Sequence, residues 1–280
     1  MAMESTMTED ETKLPNFRSP PVSEVALLIQ FDPIEHLGVL HCGDYRTRIA
    51  DTYPDFEEKA PLQKTSESFD REESPPQPNV VVRSGMPPLR RCWFLDSEGN
   101  GIVQLDAEHF AYNWRNNTGN AAYPRYDYIR GEFQKLWIGF LEFLNEAGLG
   151  RPKVNHWEVT YVNHIDIGEG WKSLNELHNA VTVWPRLPSE GPLSAPEGVQ
   201  ATLVHSVPDE KRRLRVSMQS ALRRSDMQEC MLLTLTAKGQ IGSPEADEVL
   251  KHLDTGRKWI VQTFADLTSE EAHERWGLEE

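Results

Sequence analysis

The chain reads as an α+β protein built from two tandem β-α-β-β-β-α units. Three observations predict this. Apolar residues change from a period of two to a period of 3.6 in the same order in both halves. Each half closes on a long amphipathic stretch of helical periodicity. The two opening strands also share residues at one constant offset: Glu24, Val25 and Asp32 correspond to Glu158, Val159 and Asp166.

In the first half, VSEVALLIQFD alternates, with Val25, Leu27, Ile29 and Phe31 on one face and Glu24 and Gln30 on the other. Cys42, Tyr45 and Ile49 follow at helical spacing, and Pro54 stops that segment. RCWFLDS, GIVQLD and EHFAYNW read as a meander of three short strands, with Glu98-Gly99-Asn100-Gly101 as its first turn. Tyr126, Ile129, Phe133, Leu136, Trp137, Phe140, Leu141 and Leu144 then line one face of a helix that Gly148 ends.

The second half opens on HWEVTYVNHID, with Trp157, Val159, Tyr161 and Ile165 inward. A short helix is expected next, with Ser173 and Glu176 as its capping box. Strands at VQATLVHSV, RLRVSMQSAL and CMLLTLTA follow, joined by the turns PDEK and RSDMQ. The second long helix is expected to open at Ser243-Pro244-Glu245, with the serine as cap, and to bury Val249, Leu250, Leu253, Ile260 and Phe264. Thr268 and Glu271 predict the cap of a last short helix that Trp276 pins.

These elements divide the chain into a disordered leader over 1–19, a first unit over 20–150 and a second unit over 151–280. The first unit carries an exposed insertion at about 55–90, where SESFDREESPPQP is rich in Glu, Ser and Pro. Two such units can join edge strands into one antiparallel sheet around a pseudo-twofold axis, a topology similar to ferredoxin-like or TATA-binding-protein-like folds.

The three cysteines, Cys42, Cys92 and Cys230, are widely spaced and read as buried thiols of a reducing compartment. The acidic start MAMESTMTEDETK is unlike a signal peptide, and no run approaches the ~20 apolar residues of a membrane span, so a cytoplasmic protein is expected. A net charge of −15 disfavours nucleic acid except at a local basic patch.

PPVSEV at 20–25, QLDAEHFAYNWR at 104–115, YPRY at 123–126, EVTYVNHI at 158–165 and FADLTSEEAHERWG at 264–277 resemble a sporadically distributed family of uncharacterised prokaryotic proteins carried under a placeholder TIGR name. The resemblance spans most of the chain outside the leader and the insertion. It brings no activity with it; patchy distribution fits mobile or defence-associated genes.

Asn113, Trp114 and Arg115 end the first meander, and Tyr123, Arg125 and Tyr126 lead into the long helix. Aromatic rings interleaved with guanidinium and amide groups suit a ligand, because arginine grips carboxylate or phosphate through two parallel bonds. The alternative is structural: Trp114 in the core, with Arg115 or Arg125 paired to an internal acid such as Glu158. Asn163, inward beside Tyr161, ties down a neighbour or projects into a pocket, and with Glu158 and His164 of the same strand it completes the candidate ligand-binding set. His156, Glu158, His164 and Asp166 share the other face, but eight residues at ~3.3 Å each hold the two histidines roughly 26 Å apart, so no metal site is expected. Arg213, Arg215 and Arg223 form the most basic stripe, a candidate contact for phosphate or nucleic acid, or a solvated face.

No nucleophile elbow, phosphate loop, dinucleotide fingerprint or His-Glu-x-x-His motif occurs. The expected function is therefore a non-catalytic binding or interaction protein with a protein or small-molecule ligand and no cofactor. The alternative is a nucleic-acid-linked regulator or enzyme accessory using the arginine stripe.

Overall fold

The computed structural model of the chain describes residues 14–60, 62, 90–119, 121–185, 196–207, 211–223 and 226–279. The turns at 208–210 and 224–225, most of the acidic insertion, and residues 1–13 of the leader lie outside them.

The fold is α+β, dominated by a nine-stranded antiparallel sheet. In chain order the elements are β1 (Asn16–Phe17), β2 (Val22–Phe31), α1 (Val39–Ile49), β3 (Asp55–Lys59), β4 (Arg91–Leu95), β5 (Gly101–Leu105), β6 (His109–Arg115) and α2 (Tyr126–Glu146). They continue with β7 (Val154–Asp166), a 3-10 turn (Leu174–Asn179), β8 (Gln200–Ser206), β9 (Arg212–Leu222), β10 (Glu229–Gln240), α3 (Ala246–Leu267), α4 (Glu270–Trp276) and β11 (Leu278–Glu279). The sheet order is β3-β4-β5-β6-β2-β7-β10-β9-β8, and β1 pairs separately with β11.

The alternation of β2 becomes its register. Ile29 faces Phe110 on β6 and Trp157 on β7, and in the next row Leu27 faces Tyr112 and Val159. Residues opposite one another in antiparallel strands share a face, so Phe110, Ile29 and Trp157 point to the same side. Phe110 packs on Phe133, Trp137 and Phe140 of α2, while Trp157 stacks on His252 and lies against Trp259 of α3. Both long helices therefore cover one face of the sheet, where the apolar stripes of α2 and α3 leave water. On the opposite face the rows across β7, β10 and β9 are polar, as in Glu158–Lys238–Arg213, while across β2, β6, β5 and β4 the same row runs through Leu28, Ala111, Gln104 and Trp93.

Several boundaries differ from the expectations. Asp55–Lys59 is an edge strand paired with β4 and not part of an insertion; an exposed edge strand carries no apolar face, so DFEEK gives no buried periodicity. Asn16–Phe17 is likewise ordered within the expected leader: Phe17 is buried, and its backbone is paired with residues far along the chain. The short helix after β7 is a 3-10 turn, in which Glu176 accepts from the Lys172 N–H and Ser173 makes no side-chain cap. The N-cap of α3 is Glu245, because the Pro244 carbonyl is taken by the Trp137 indole N–H at 2.9 Å. The cap of α4 is Ser269, which accepts from the Ala272 N–H, while Thr268 donates to the Phe264 carbonyl.

Candidate functional site

Beside the ends of β2 and β7, on the helix-covered face, a cavity of about 320 Å³ opens between the segment preceding β2, the start of α2 and the last turns of α3. Its apolar wall includes Phe17, Val22, Ile260 and Phe264; its polar wall includes Tyr123, Tyr161, Asn163 and Arg257.

Each of these side chains is placed by the element that carries it. Tyr161 and Asn163 follow Trp157 and Val159 along the inward face of β7 and are almost fully buried. The Asn163 amide donates to the Leu233 carbonyl of β10 at 3.0 Å, which satisfies part of a buried amide's need and fixes its orientation. The hydroxyls of Tyr123 and Tyr161 lie 3.3 Å apart. Trp114, buried in the core, packs against the Tyr123 ring at 5.5 Å between centroids.

Arg125, the residue before α2, has φ of 75°, a conformation that costs a side-chain-bearing residue about 1–3 kcal/mol and persists only where contacts enforce it. Here the guanidinium donates to the carbonyls of Phe17 at 2.7 Å and Arg18 at 3.0 Å. It straps residues 15–20 over the cavity as one wall. The strap is held again by β1–β11 pairing and by the Phe17 ring, which meets Phe264 and Trp276 edge-on.

Burial pushes the Tyr161, Tyr123 and Tyr126 hydroxyls upward in pKa, and for Tyr126 the neighbouring Asp254 carboxylate adds to the shift. All three phenols are thus protonated at neutral pH and serve as neutral hydrogen-bond donors. The Tyr126 hydroxyl donates a hydrogen bond to Asp254 at 2.8 Å, and Arg130 grips both oxygens of that carboxylate.

The structure brings Tyr123, Arg125, Tyr126 and Asn163 together at this cavity and separates them from the other candidates. Asn113 points to the opposite face, donating to Glu24 and accepting from Gln104 at 2.8 Å. Arg115 also lies there, bonded to the Gly99 carbonyl and over the Trp93 ring, so neither it nor Arg125 pairs with Glu158. Glu158 accepts from Thr160 on the opposite face. A period of two sends neighbours along a strand to opposite sides, which is why Asn113 parts from Trp114 and His164 from Asn163.

His164 lines a second cavity, of about 490 Å³, with Asp166, Glu169, Arg223 and the far side of the strap. Burial lowers the pKa of His164 and raises that of Glu169. Arg223 lies past the end of β9 and is held by Asp166 and Asp226. It therefore does not extend the stripe of Arg213 and Arg215, which stand opposite Lys238 and Thr236 within the sheet. Among the described residues no group of three or more His, Cys, Asp or Glu side chains is gathered to hold a metal.

Sequence reasoning missed Arg257 and the strap. Arg257 had a signal: with Leu253, Ile260 and Phe264 it falls at i, i+4, i+7 and i+11, a cation within the inward stripe of α3. The strap had none, because its pairing partner is remote in sequence. A polar chain on the opposite face was also missed: Asp106 contacts His109 at 2.9 Å, His109 contacts Gln30, and Gln30 donates to Asn155.

No helix among the described residues is long and apolar enough to cross a membrane. No protein-family profile matches the chain, and no curated protein matches it significantly.

Proposed function

We propose that this chain is a cytoplasmic, non-catalytic binding protein that holds a small-molecule ligand in the strapped cavity. The observation that carries the reading is convergence: side chains from the strap, the Tyr123–Tyr126 turn, β7 and α3 meet around about 320 Å³ with one apolar and one polar wall. Concave sites of this mixed character are the usual form of small-molecule sites. The buried phenols are neutral donors at physiological pH, groups suited to recognition more than to proton transfer.

The test is a thermal-shift screen of metabolites with the wild type and with Tyr161→Phe and Ile260→Trp. A ligand should raise Tm for the wild type and lose that effect when Ile260→Trp fills the cavity. Turnover of any hit by the purified chain would overturn the non-catalytic reading. The nucleic-acid alternative retains Arg213 and Arg215 but not Arg223, whose charge is offset by two carboxylates, and the chain carries a net charge of −15.

The reading includes the tandem duplication. The strand order supports it: each opening strand, β2 or β7, lies beside the last strand of its own meander, β6 or β10, and the two opening strands pair antiparallel at the centre. Membership of the sporadically distributed prokaryotic family, with its mobile or defence-associated setting, stands as part of the same proposal and rests on the motifs at 20–25, 104–115, 123–126, 158–165 and 264–277.

A further inference from the structure

We infer that the cavity takes a small carboxylic acid as its anion, with the carboxylate on the Arg257 guanidinium and an apolar body against Phe17, Ile260 and Phe264. This inference rests on the cavity being a ligand site.

Arg257 has no anionic partner among the described residues. Its Nε is buried and makes no hydrogen bond, and among the described residues its guanidinium has no ion pair; its close contact is the face of Tyr126, 4.9 Å from the ring centroid. Arg257 is half-buried, and its buried Nε–H is a donor left without an acceptor, which carries a cost. The surrounding guanidiniums are committed: Arg130 to Asp254, and Arg125 to the strap carbonyls. Asp254, one turn before Arg257, is drawn away by Arg130 and Tyr126. The cavity thus keeps one guanidinium that makes no ion pair among the described residues, beside an apolar wall.

The tyrosines add a second observation. Two hydroxyl hydrogens belong to Tyr123 and Tyr161, and their mutual bond uses one. The other is uncommitted among the described residues and free to be given to an acceptor. The charge of Arg257 also reaches both hydroxyls, opposing the rise that burial gives their pKa values. A fork of N–H groups plus a phenolic O–H is a donor set that calls for an acceptor-only group, which a carboxylate is. A phosphate monoester carries about −1.5 to −2 charges near neutral pH, more than one guanidinium offsets, and Asp127 at the same cavity repels it more strongly than it repels the single charge of a carboxylate. The apolar wall selects a body of aromatic or branched aliphatic character.

The experiment uses the full chain and ligand-detected NMR with calorimetry. The probes are matched pairs: phenylacetate with phenylacetamide, indole-3-acetate with indole-3-acetamide, and 4-methylvalerate with its amide; inorganic phosphate is run beside them. At least one acid should bind at the cavity at least about tenfold more tightly than its amide, as expected for a charge-assisted bidentate bond. Arg257→Gln should reduce acid binding to the level of the amide, and Tyr161→Phe should weaken it less. Equal binding of acid and amide at the cavity would overturn the carboxylate assignment and leave the cavity as a ligand site, as would phosphate binding more tightly than any acid. No binding by any acid or amide would overturn both readings. If Arg257→Gln fails to fold, the acid-to-amide ratio on the wild type, with Tyr161→Phe, decides.

Discussion

Trp157 occupies a slot made by two glycines, and this gives a sharp test of the packing. Its ring is fully buried, with Gly239 of β10 directly opposite in register and Gly256 of α3 above it. A Cβ on Gly256 would lie 2.5 Å from Trp157 Cζ3 and 3.2 Å from both Cη2 and a Val159 methyl; one on Gly239 would lie 2.9 Å from the indole Nε1. Helix propensity alone makes Gly256→Ala stabilising by about 0.8–1.0 kcal/mol. Overpacking a closed core costs about 1–3 kcal/mol, and the ring cannot retreat because Gly239 closes its other side. Gly256→Ala is therefore expected to lose up to about 2 kcal/mol net. Gly131, in α2, is the control: its Cβ would meet nothing within 4 Å and its surface is exposed, so Gly131→Ala should gain about 0.5–1 kcal/mol. Urea titrations followed by tryptophan fluorescence, at unchanged m-value, measure both. A stabilised Gly256→Ala protein would refute the slot.

Phe140 is fully buried and stacks on Phe110 at 4.8 Å, with Phe31, Tyr45 and Trp137 also around it, so Phe140→Ala should cost about 3–5 kcal/mol in the same titration. Arg125→Gly should be more stable than Arg125→Ala by roughly 1 kcal/mol, since both lose the strap bonds but only glycine adopts φ of 75° without strain. In both, hydrogen exchange should accelerate at the Arg18 and Ser19 amides, which donate to Gly277 and Trp276; unchanged protection would disprove the clamp. His164 is held below its ordinary pKa of 6.5 chiefly by burial, with Asp166 and Asp226 opposing and Arg223 reinforcing the shift. The folded state binds that proton more weakly than the unfolded chain, so stability is complete above pH 6.5 and declines as pH falls from there toward the depressed folded value. His164→Asn should flatten the fall in denaturation midpoint over this window; an unaltered slope would exclude His164 as its source.

Alternation and helical spacing carried most of the architecture. The inward residues of β2, β7, α2 and α3 were readable because burial imposes a strict period on each. What escaped were features set by contacts remote in sequence. DFEEK forms an edge strand without an apolar face, and Asn16–Phe17 gains order from groups remote in sequence, Arg125, Phe264 and residues 276–279. The caps of α3 and α4 slipped by two residues and one because a neighbouring group, the Trp137 indole on Pro244 or the Phe264 carbonyl on the Thr268 hydroxyl, took the capping atoms, while Ser173 keeps the cap position without a side-chain bond. At the site, Tyr123 and Tyr126 were legible as aromatic groups near arginine. Arg125 was legible as a guanidinium but serves the backbone of the strap, while Arg257 went unnoticed within an otherwise apolar stripe.

The strap has a consequence for synthesis. Asn16 and Glu279 meet across 263 positions of sequence, so a ribosome must make nearly all of that span before the wall of the cavity can close. A nascent chain that has released α2 already holds Tyr123, Arg125 and Tyr126, yet it has neither Arg257 nor the residues of α3, α4 and β11 that also anchor Phe17. Closure of the cavity wall is thus tied to translation having passed residue 279, and contacts of such long range form late, after the local strands and helices.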